Sequence, residues 1–293
     1  MLDSRSNLSG KVAVVVGGAA GIGAAATLAL AEAGVDIAFC DRNVAATAET
    51  QQAVRRLQRR CYAETFDATD TGRLLSFYGQ VAHEFERLDI LINIVGGVLQ
   101  QPFMSESVAD CAADIQRNYG YAITSIREAV KLMRRGGHGG SIVSFTTIEA
   151  HRGAAGFAVY AGAKAALTNF SKALAVELGP EGIRVNLIAP DTTPSEGNYL
   201  ALPPETRDSM AASPGEWMDA ALKMYIPLGR PASTDDLANA VLFLSSDLAR
   251  SISGVVLHVD GGTAAAAGMV NWPEGQGFLP VPLAAVQRKL FGP

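Results

Sequence analysis

The sequence predicts a single α/β domain built on a doubly wound, seven-stranded parallel sheet. Three observations predict it. Short β-branched apolar runs alternate with longer amphipathic ones from Lys11 onward, most of the short runs are apolar along their whole length, and the first of them leads directly into a glycine-rich turn.

Taken in order, strands are expected over residues 12–16, 36–40, 60–64, 90–95, 141–145, 184–188 and 255–259. Unbroken apolar strands belong to a sheet covered on both faces. Helices are expected between them, over 23–33, 45–59, 72–87, 108–134, 160–178 and 234–245, with Gly34, Gly136 and Pro180 as stop signals. Two segments break this rhythm. Residues 190–226 begin beyond a strand's carboxyl end, where ligands of doubly wound sheets bind, and are expected to form a substrate lid. Residues 1–262 thus read as one sheet domain with its lid. Residues 263–293 read as an apolar C-terminal extension, with Met269, Trp272, Phe278, Leu279, Val281, Leu283 and Phe291, expected to dock on an interface or an active-site mouth.

The 293 residues are 48% hydrophobic with a net charge of -5 and no long basic run, which argues against nucleic acid and anionic membranes as partners. Small molecules are expected instead. Cys40, Cys61 and Cys111 are too few and scattered for a disulfide framework or a cysteine-rich zinc site, and His83, His138, His151 and His258 show no metal spacing. The first residues lack an apolar signal core, so the reading is a soluble, cytoplasmic protein.

The turn after the first strand reads Gly17-Gly18-Ala19-Ala20-Gly21-Ile22-Gly23 and opens an alanine-rich helix. Glycines there let a pyrophosphate approach backbone N–H groups at a helix N-terminus, the Rossmann-type arrangement for a dinucleotide. Asp41, at the end of the second strand, is placed to accept from adenosine ribose hydroxyls and to repel a 2′-phosphate, which favours NAD over NADP. Ala20 agrees, since the turn carries no basic side chain, while Arg42 is either a phosphate partner or a solvated arginine. Asp67, followed by Ala68, is expected at the adenine edge or as a strand-end turn residue.

Tyr160 and Lys164 are one helical turn apart, which puts ammonium and phenol on one face. A nearby cation favours phenolate, and Lys164 together with a positive nicotinamide would lower the tyrosine's pKa from about 10 towards working pH, making it a general acid or base.

The glycine spacing, Asp67, the Asn93-Ile94-Val95-Gly96 turn, Asn118 and Tyr160-x-x-x-Lys164, in that order, resemble the short-chain dehydrogenase/reductase family from about Gly10 to Gly262. The resemblance implies an NAD-dependent interconversion of secondary alcohol and ketone in a homo-oligomer, tetramer or dimer. It also implies that Lys164 binds the nicotinamide ribose, and that Asn118 holds a water in a proton relay. The family serine's position falls on Thr147, by spacing alone, with Thr146 and Ser144 nearby. The extra methyl restricts χ1 but leaves the hydroxyl. Asn93 and Gly96 line the cofactor, Ile188 is implied against the nicotinamide ring, and Pro190 with Thr193 or Ser195 at its carboxamide. Val16, Ile94, Val95 and Asp191 depart from the family's usual residues, at positions that touch packing or cofactor hydrogen bonds, including the contact after Pro190.

Tyr199, Leu200, Leu202, Met210, Trp217, Met218, Leu222, Met224 and Tyr225 in the lid either face a hydrophobic, steroid- or terpenoid-like substrate or form a small lid core. Two other readings stand beside the dehydrogenase: a catalytically weak NAD-binding sensor or scaffold, and an NADPH-dependent ketone reductase. An enoyl reductase is disfavoured, because that branch spaces its tyrosine and lysine more widely.

Overall fold

In the computed structural model, residues 5–97, 100–191, 193–195, 204–212, 215–272 and 277–280 are described. Seven parallel strands, β1 (Val12–Val16), β2 (Asp36–Asp41), β3 (Cys61–Thr65), β4 (Ile90–Asn93), β5 (Gly140–Phe145), β6 (Ile183–Pro190) and β7 (Val256–Val259), form one sheet in the order β3-β2-β1-β4-β5-β6-β7. The order runs one way from β1 to β3 and the other from β4 to β7. The crevice therefore opens beyond the ends of β1 and β4, where Gly17 and Gly96 sit.

Alternate residues of each strand feed two cores. On one face Val12, Val14 and Val16 pack with Leu74, Phe77 and Val81 of α3 (Thr71–Glu84), Ile126 and Met133 of α5 (Tyr121–Gly136), and Leu167 of α6 (Ala158–Glu177). On the other, Ala13 and Val15 meet Ala26 and Leu30 of α1 (Gly21–Glu32), Val54 of α2 (Val44–Arg56), and Leu237 and Val241 of α9 (Thr234–Ser245). Burial on both faces is why the strands read as continuous apolar runs.

Three differences from the expected elements bear on function. β4 ends at Asn93 instead of residue 95, because the N–H groups of Ile94 and Val95 both turn to the Val16 carbonyl as the chain leaves the sheet. The helix expected over 108–134 is broken into α4 (Val108–Ile115), a π-helical turn (Gln116–Gly120) and α5. One extra residue per turn rotates the inward face, and Asn118 becomes fully buried there. The extension, third, begins with an antiparallel hairpin, β8 (Met269–Trp272) and β9 (Gly277–Pro280), packed on the lid helix α8 (Gly215–Tyr225), where Asn271 donates to the Lys223 carbonyl. Val281, Leu283 and Phe291 of the extension and Tyr199, Leu200 and Leu202 of the lid lie outside the described residues; the lid also contains α7 (Pro204–Ala212). No helix among the described residues is long and apolar enough to cross a membrane.

Candidate active site

The turn after β1 is built so that it tolerates no side chain at its centre. A Cβ on Gly23 would stand 1.8 Å from the Gly17 carbonyl oxygen, and Gly17 itself has φ +88°, with Val95 Cγ2 2.9 Å from where its Cβ would be. Thr27 Oγ1 donates to the Gly18 carbonyl and fixes the turn on α1. Gly21 and Ile22 start the helix, and Ser195 passes within 3.5 Å of a Cβ on Gly21, so the chain after Pro190 closes over the same turn. A backbone cradle of this kind at a helix N-terminus fits a pyrophosphate.

Asp41 stands at the rim of the cradle. Its Oδ2 accepts from the Ala19 N–H and its Oδ1 from the Asn43 N–H, which holds the carboxylate beside the turn. Asp67 is tied locally: burial raises its pKa, but the N–H and hydroxyl of Thr69 bond its Oδ1 and, with Arg42 and Arg117 near, bring it below the ordinary carboxylate range. Of its two expected uses, the strand-end turn is visible. Ala68 is buried beside it.

The fold gathers the reacting groups at the ends of β4 and β5 and on α6. Lys164 is buried and donates from Nζ to the Phe145 carbonyl at 2.9 Å. A Cβ on Gly96 would lie 2.8 Å from Lys164 Nζ and 2.9 Å from Asn118 Oδ1, so glycine is the residue that lets the β4 turn approach both. Asn118 clamps that turn from two sides, accepting from the Gly97 N–H and donating to the Gly97 carbonyl, each at 3.0 Å, and its amide also donates to the Asp114 carbonyl. Its side chain positions the turn and has no donor left over for a water.

The hydroxyl candidates separate cleanly. Ser144 accepts from Asn93, and Thr146 bonds Thr168 and the Lys164 carbonyl, tying β5 to α6. Of these, Thr147 is the hydroxyl that lies beside the Tyr160 phenol and lowers its pKa. The same Thr147 hydroxyl donates to Glu149 Oε2, while Glu149 Oε1 accepts from Arg152 at 2.8 Å and Arg152 donates to the Tyr225 hydroxyl of the lid helix at 2.8 Å. Asp191, half-buried after β6, lies near Tyr225 and Thr263. A continuous polar chain thus runs from Thr147 through Glu149 and Arg152 to Tyr225 of α8.

Burial dominates the electrostatics of the pair. Burial raises the Tyr160 pKa, the Thr147 hydroxyl lowers it and the Glu149 charge raises it, leaving it at about 12. Burial pushes Lys164 the other way, down to about 8. The lowering of Tyr160 is expected of Lys164 together with a bound, positive nicotinamide.

Two residues expected at the cofactor lie in the core. Ile188 is 0% exposed and packs with Phe145 and Leu237. Asn93 is likewise 0% exposed, in a buried chain of hydrogen bonds with Ser144, Ser125 and Tyr78 that ties β4 to β5, α5 and α3. Pro190 ends β6 and Thr193 is buried just beyond it, on the segment that leads to Ser195 over the glycine turn.

A family model described as enoyl-(acyl carrier protein) reductase matches residues 17–264. The chain belongs to the short-chain dehydrogenase/reductase family. Members this similar act on different substrates. D-threitol dehydrogenase of Mycolicibacterium smegmatis is 34% identical over 263 residues, 89% of this chain and 95% of the relative. A 3alpha-hydroxysteroid dehydrogenase of Mediterraneibacter gnavus is 30% identical over 256 residues, 87% of this chain and 97% of the relative. Carveol dehydrogenase from Mycobacterium avium, solved with NAD, superposes with a TM-score of 0.81 at 26% identity, covering 89% of this chain and 99% of that one. This short-chain dehydrogenase is accordingly an NAD(P)-dependent oxidoreductase acting on the CH–OH group of a small molecule.

Glu149 and Arg152 were missed in the sequence because charged residues in a short turn read as solvated. The available signal was their place between Thr147 and Tyr160, in the loop that has to line the dehydrogenase's pocket.

Proposed function

We propose that this dehydrogenase oxidises a secondary alcohol to a ketone, or the reverse, with NAD, and that Tyr160 moves the proton. The observation that carries this reading is the placement of the Thr147 hydroxyl beside the Tyr160 phenol, with buried Lys164 one helical turn on and Gly96 leaving room for the lysine head. Thr147 and Tyr160 orient the substrate oxygen, Tyr160 takes or gives the hydroxyl proton, and Lys164, with Asn118 holding the β4 turn, fixes the floor of the site. NAD, when bound, supplies the hydride acceptor. Gly17, Gly21, Ile22 and Gly23 would hold its pyrophosphate, Asp41 its adenosine ribose, Asp67 and Ala68 its adenine edge, Gly96 and Lys164 its nicotinamide ribose, and Pro190 to Ser195 its carboxamide.

The choice of NAD over NADP rests on Asp41. Asp41→Asn keeps an oxygen for the Ala19 N–H while removing the charge, and the kcat/KM ratio of NAD to NADP is expected to fall by about tenfold or more. An unchanged ratio in paired initial-rate assays would move the selectivity elsewhere.

The sensor or scaffold reading has less support, since it gives no use to a tyrosine, a threonine and a buried lysine assembled around one point. Trp217, 67% exposed on α8, is not spent on a small core, which supports a hydrophobic, steroid- or terpenoid-like substrate as one use of the segment. Ile115 and Ile123, 46% and 40% exposed around the π-helical turn, support a homo-oligomer, tetramer or dimer. The absence of any long basic run in the sequence supports a soluble, cytoplasmic setting without a membrane or nucleic-acid partner.

A further inference from the structure

We infer that the substrate is a vicinal diol, or the corresponding α-hydroxyketone, and that Glu149 binds the hydroxyl on the carbon next to the reacting one. This rests on the alcohol dehydrogenase reading above. Four observations carry it. The Thr147 hydroxyl lies beside the phenol, whose pKa it lowers, and gives its single proton to Glu149 Oε2. Glu149 is 13% exposed at its side chain, so its carboxylate is largely withdrawn from water. Its other oxygen is held by Arg152, which fixes the carboxylate in place. Arg152 is anchored in turn by Tyr225 on α8, so the acceptor is held from both sides.

The proton count decides between substrates. A substrate oxygen held by Tyr160 lies about 2.7 Å from the hydroxyls that bind it, and Glu149 Oε2 is one hydrogen bond further, within reach of a hydroxyl on the adjoining carbon. With a mono-alcohol, Thr147 has one proton for two acceptors. Either the reacting oxygen or Glu149 Oε2 then goes without that donor, and a withdrawn oxygen left without a hydrogen bond costs free energy, even with Arg152 on the other carboxylate oxygen. A second hydroxyl supplies the missing proton to Glu149 and frees Thr147 to donate to the reacting oxygen. In the reaction the carbinol C–H passes as hydride to NAD, the O–H proton passes to Tyr160, and the neighbouring C–OH is unchanged. The products are an α-hydroxyketone, NADH and a proton.

Butane-2,3-diol and butan-2-ol differ by that one hydroxyl and make the test. The kcat/KM values of the diol stereoisomers and of butan-2-ol, with NAD, are compared in the wild type, Glu149→Ala and Glu149→Gln. The best diol isomer is expected to exceed butan-2-ol by about tenfold or more in the wild type, as for a site that hydrogen-bonds a substrate hydroxyl. The ratio should fall to near one in Glu149→Ala and lie between in Glu149→Gln, which keeps an accepting oxygen. If Glu149→Ala does not fold by thermal melting, Glu149→Gln carries the comparison. A wild-type ratio near or below one, or a ratio unmoved by the substitutions, overturns this inference and leaves the dehydrogenase reading standing. No NADH from any alcohol and no NADH consumption with any ketone in a broad panel overturns the dehydrogenase reading, and this inference with it.

Discussion

Replacing Tyr160 by phenylalanine is expected to lower kcat for alcohol oxidation by about 10²–10⁴-fold, the usual contribution of a positioned acid or base. The ring keeps its packing on α6, and only the hydroxyl beside Thr147 is lost. NAD affinity, measured by fluorescence titration, should stay within about a factor of two, because the glycine cradle and Asp41 lie on other elements. The pH profile separates this from a structural effect. Burial leaves the phenol protonated at neutral pH, raising its pKa to about 12. Oxidation needs the phenolate, so its rate should climb with pH from neutrality, at most about tenfold per unit, until the phenol of the ternary complex is ionised. Bound oxidised nicotinamide, being cationic, moves that point down. Reduction uses the protonated form and should stay level over the same range. The residual oxidation of Tyr160→Phe should lose the climb, and a variant that keeps the wild-type slope would remove Tyr160 from the chemistry.

Gly23→Ala is expected to weaken NAD binding by about 100-fold or more and to lower Tm. The new Cβ would fall 1.8 Å from the Gly17 carbonyl oxygen and 2.9 Å from its carbon, backbone atoms that cannot rotate away. Gly17 is itself confined by its positive φ and by Val95, so strain passes into both the turn and the β4 end. Gly79→Ala is the control. It sits inside α3 with no atom within 4 Å of its Cβ, and alanine there should stabilise by roughly 0.5–1 kcal/mol without changing NAD affinity. Equal NAD affinity in Gly23→Ala and wild type, by titration, would contradict the cradle.

Much of the fold was legible because its signals are local. β1 is buried at every residue, and a strand of valines ending in glycines can be read without a structure. The Tyr160 to Lys164 spacing is a helix period, and both do fall on α6. What could not be read depends on partners far apart in the chain. No hydrophobic period announces the π-helical turn at residues 116–120, because the inserted residue shifts the phase only where α4 meets α5. Ile188 and Asn93 look like cofactor residues from their positions after and before strand ends, yet the pleat turns Ile188 into the core, and Asn93 finds Ser125 and Ser144 on other elements. Glu149 gains its meaning only when Thr147, Arg152 and the lid's Tyr225 are brought around it. The hairpin at residues 269–280 pairs two short strands whose glycines and prolines read as loop.

The central claim is hydride transfer between a bound alcohol carbon and NAD at the Tyr160 site, and isotope tracing tests it most directly. A secondary alcohol deuterated at the carbinol carbon is incubated with the enzyme and NAD, and the recovered nicotinamide is examined by NMR. The account predicts one deuteron at C4 of the NADH formed by the wild type, and at most a trace of NADH from Tyr160→Phe. NAD recovered unreduced from every alcohol tried, although bound by the protein, would contradict it.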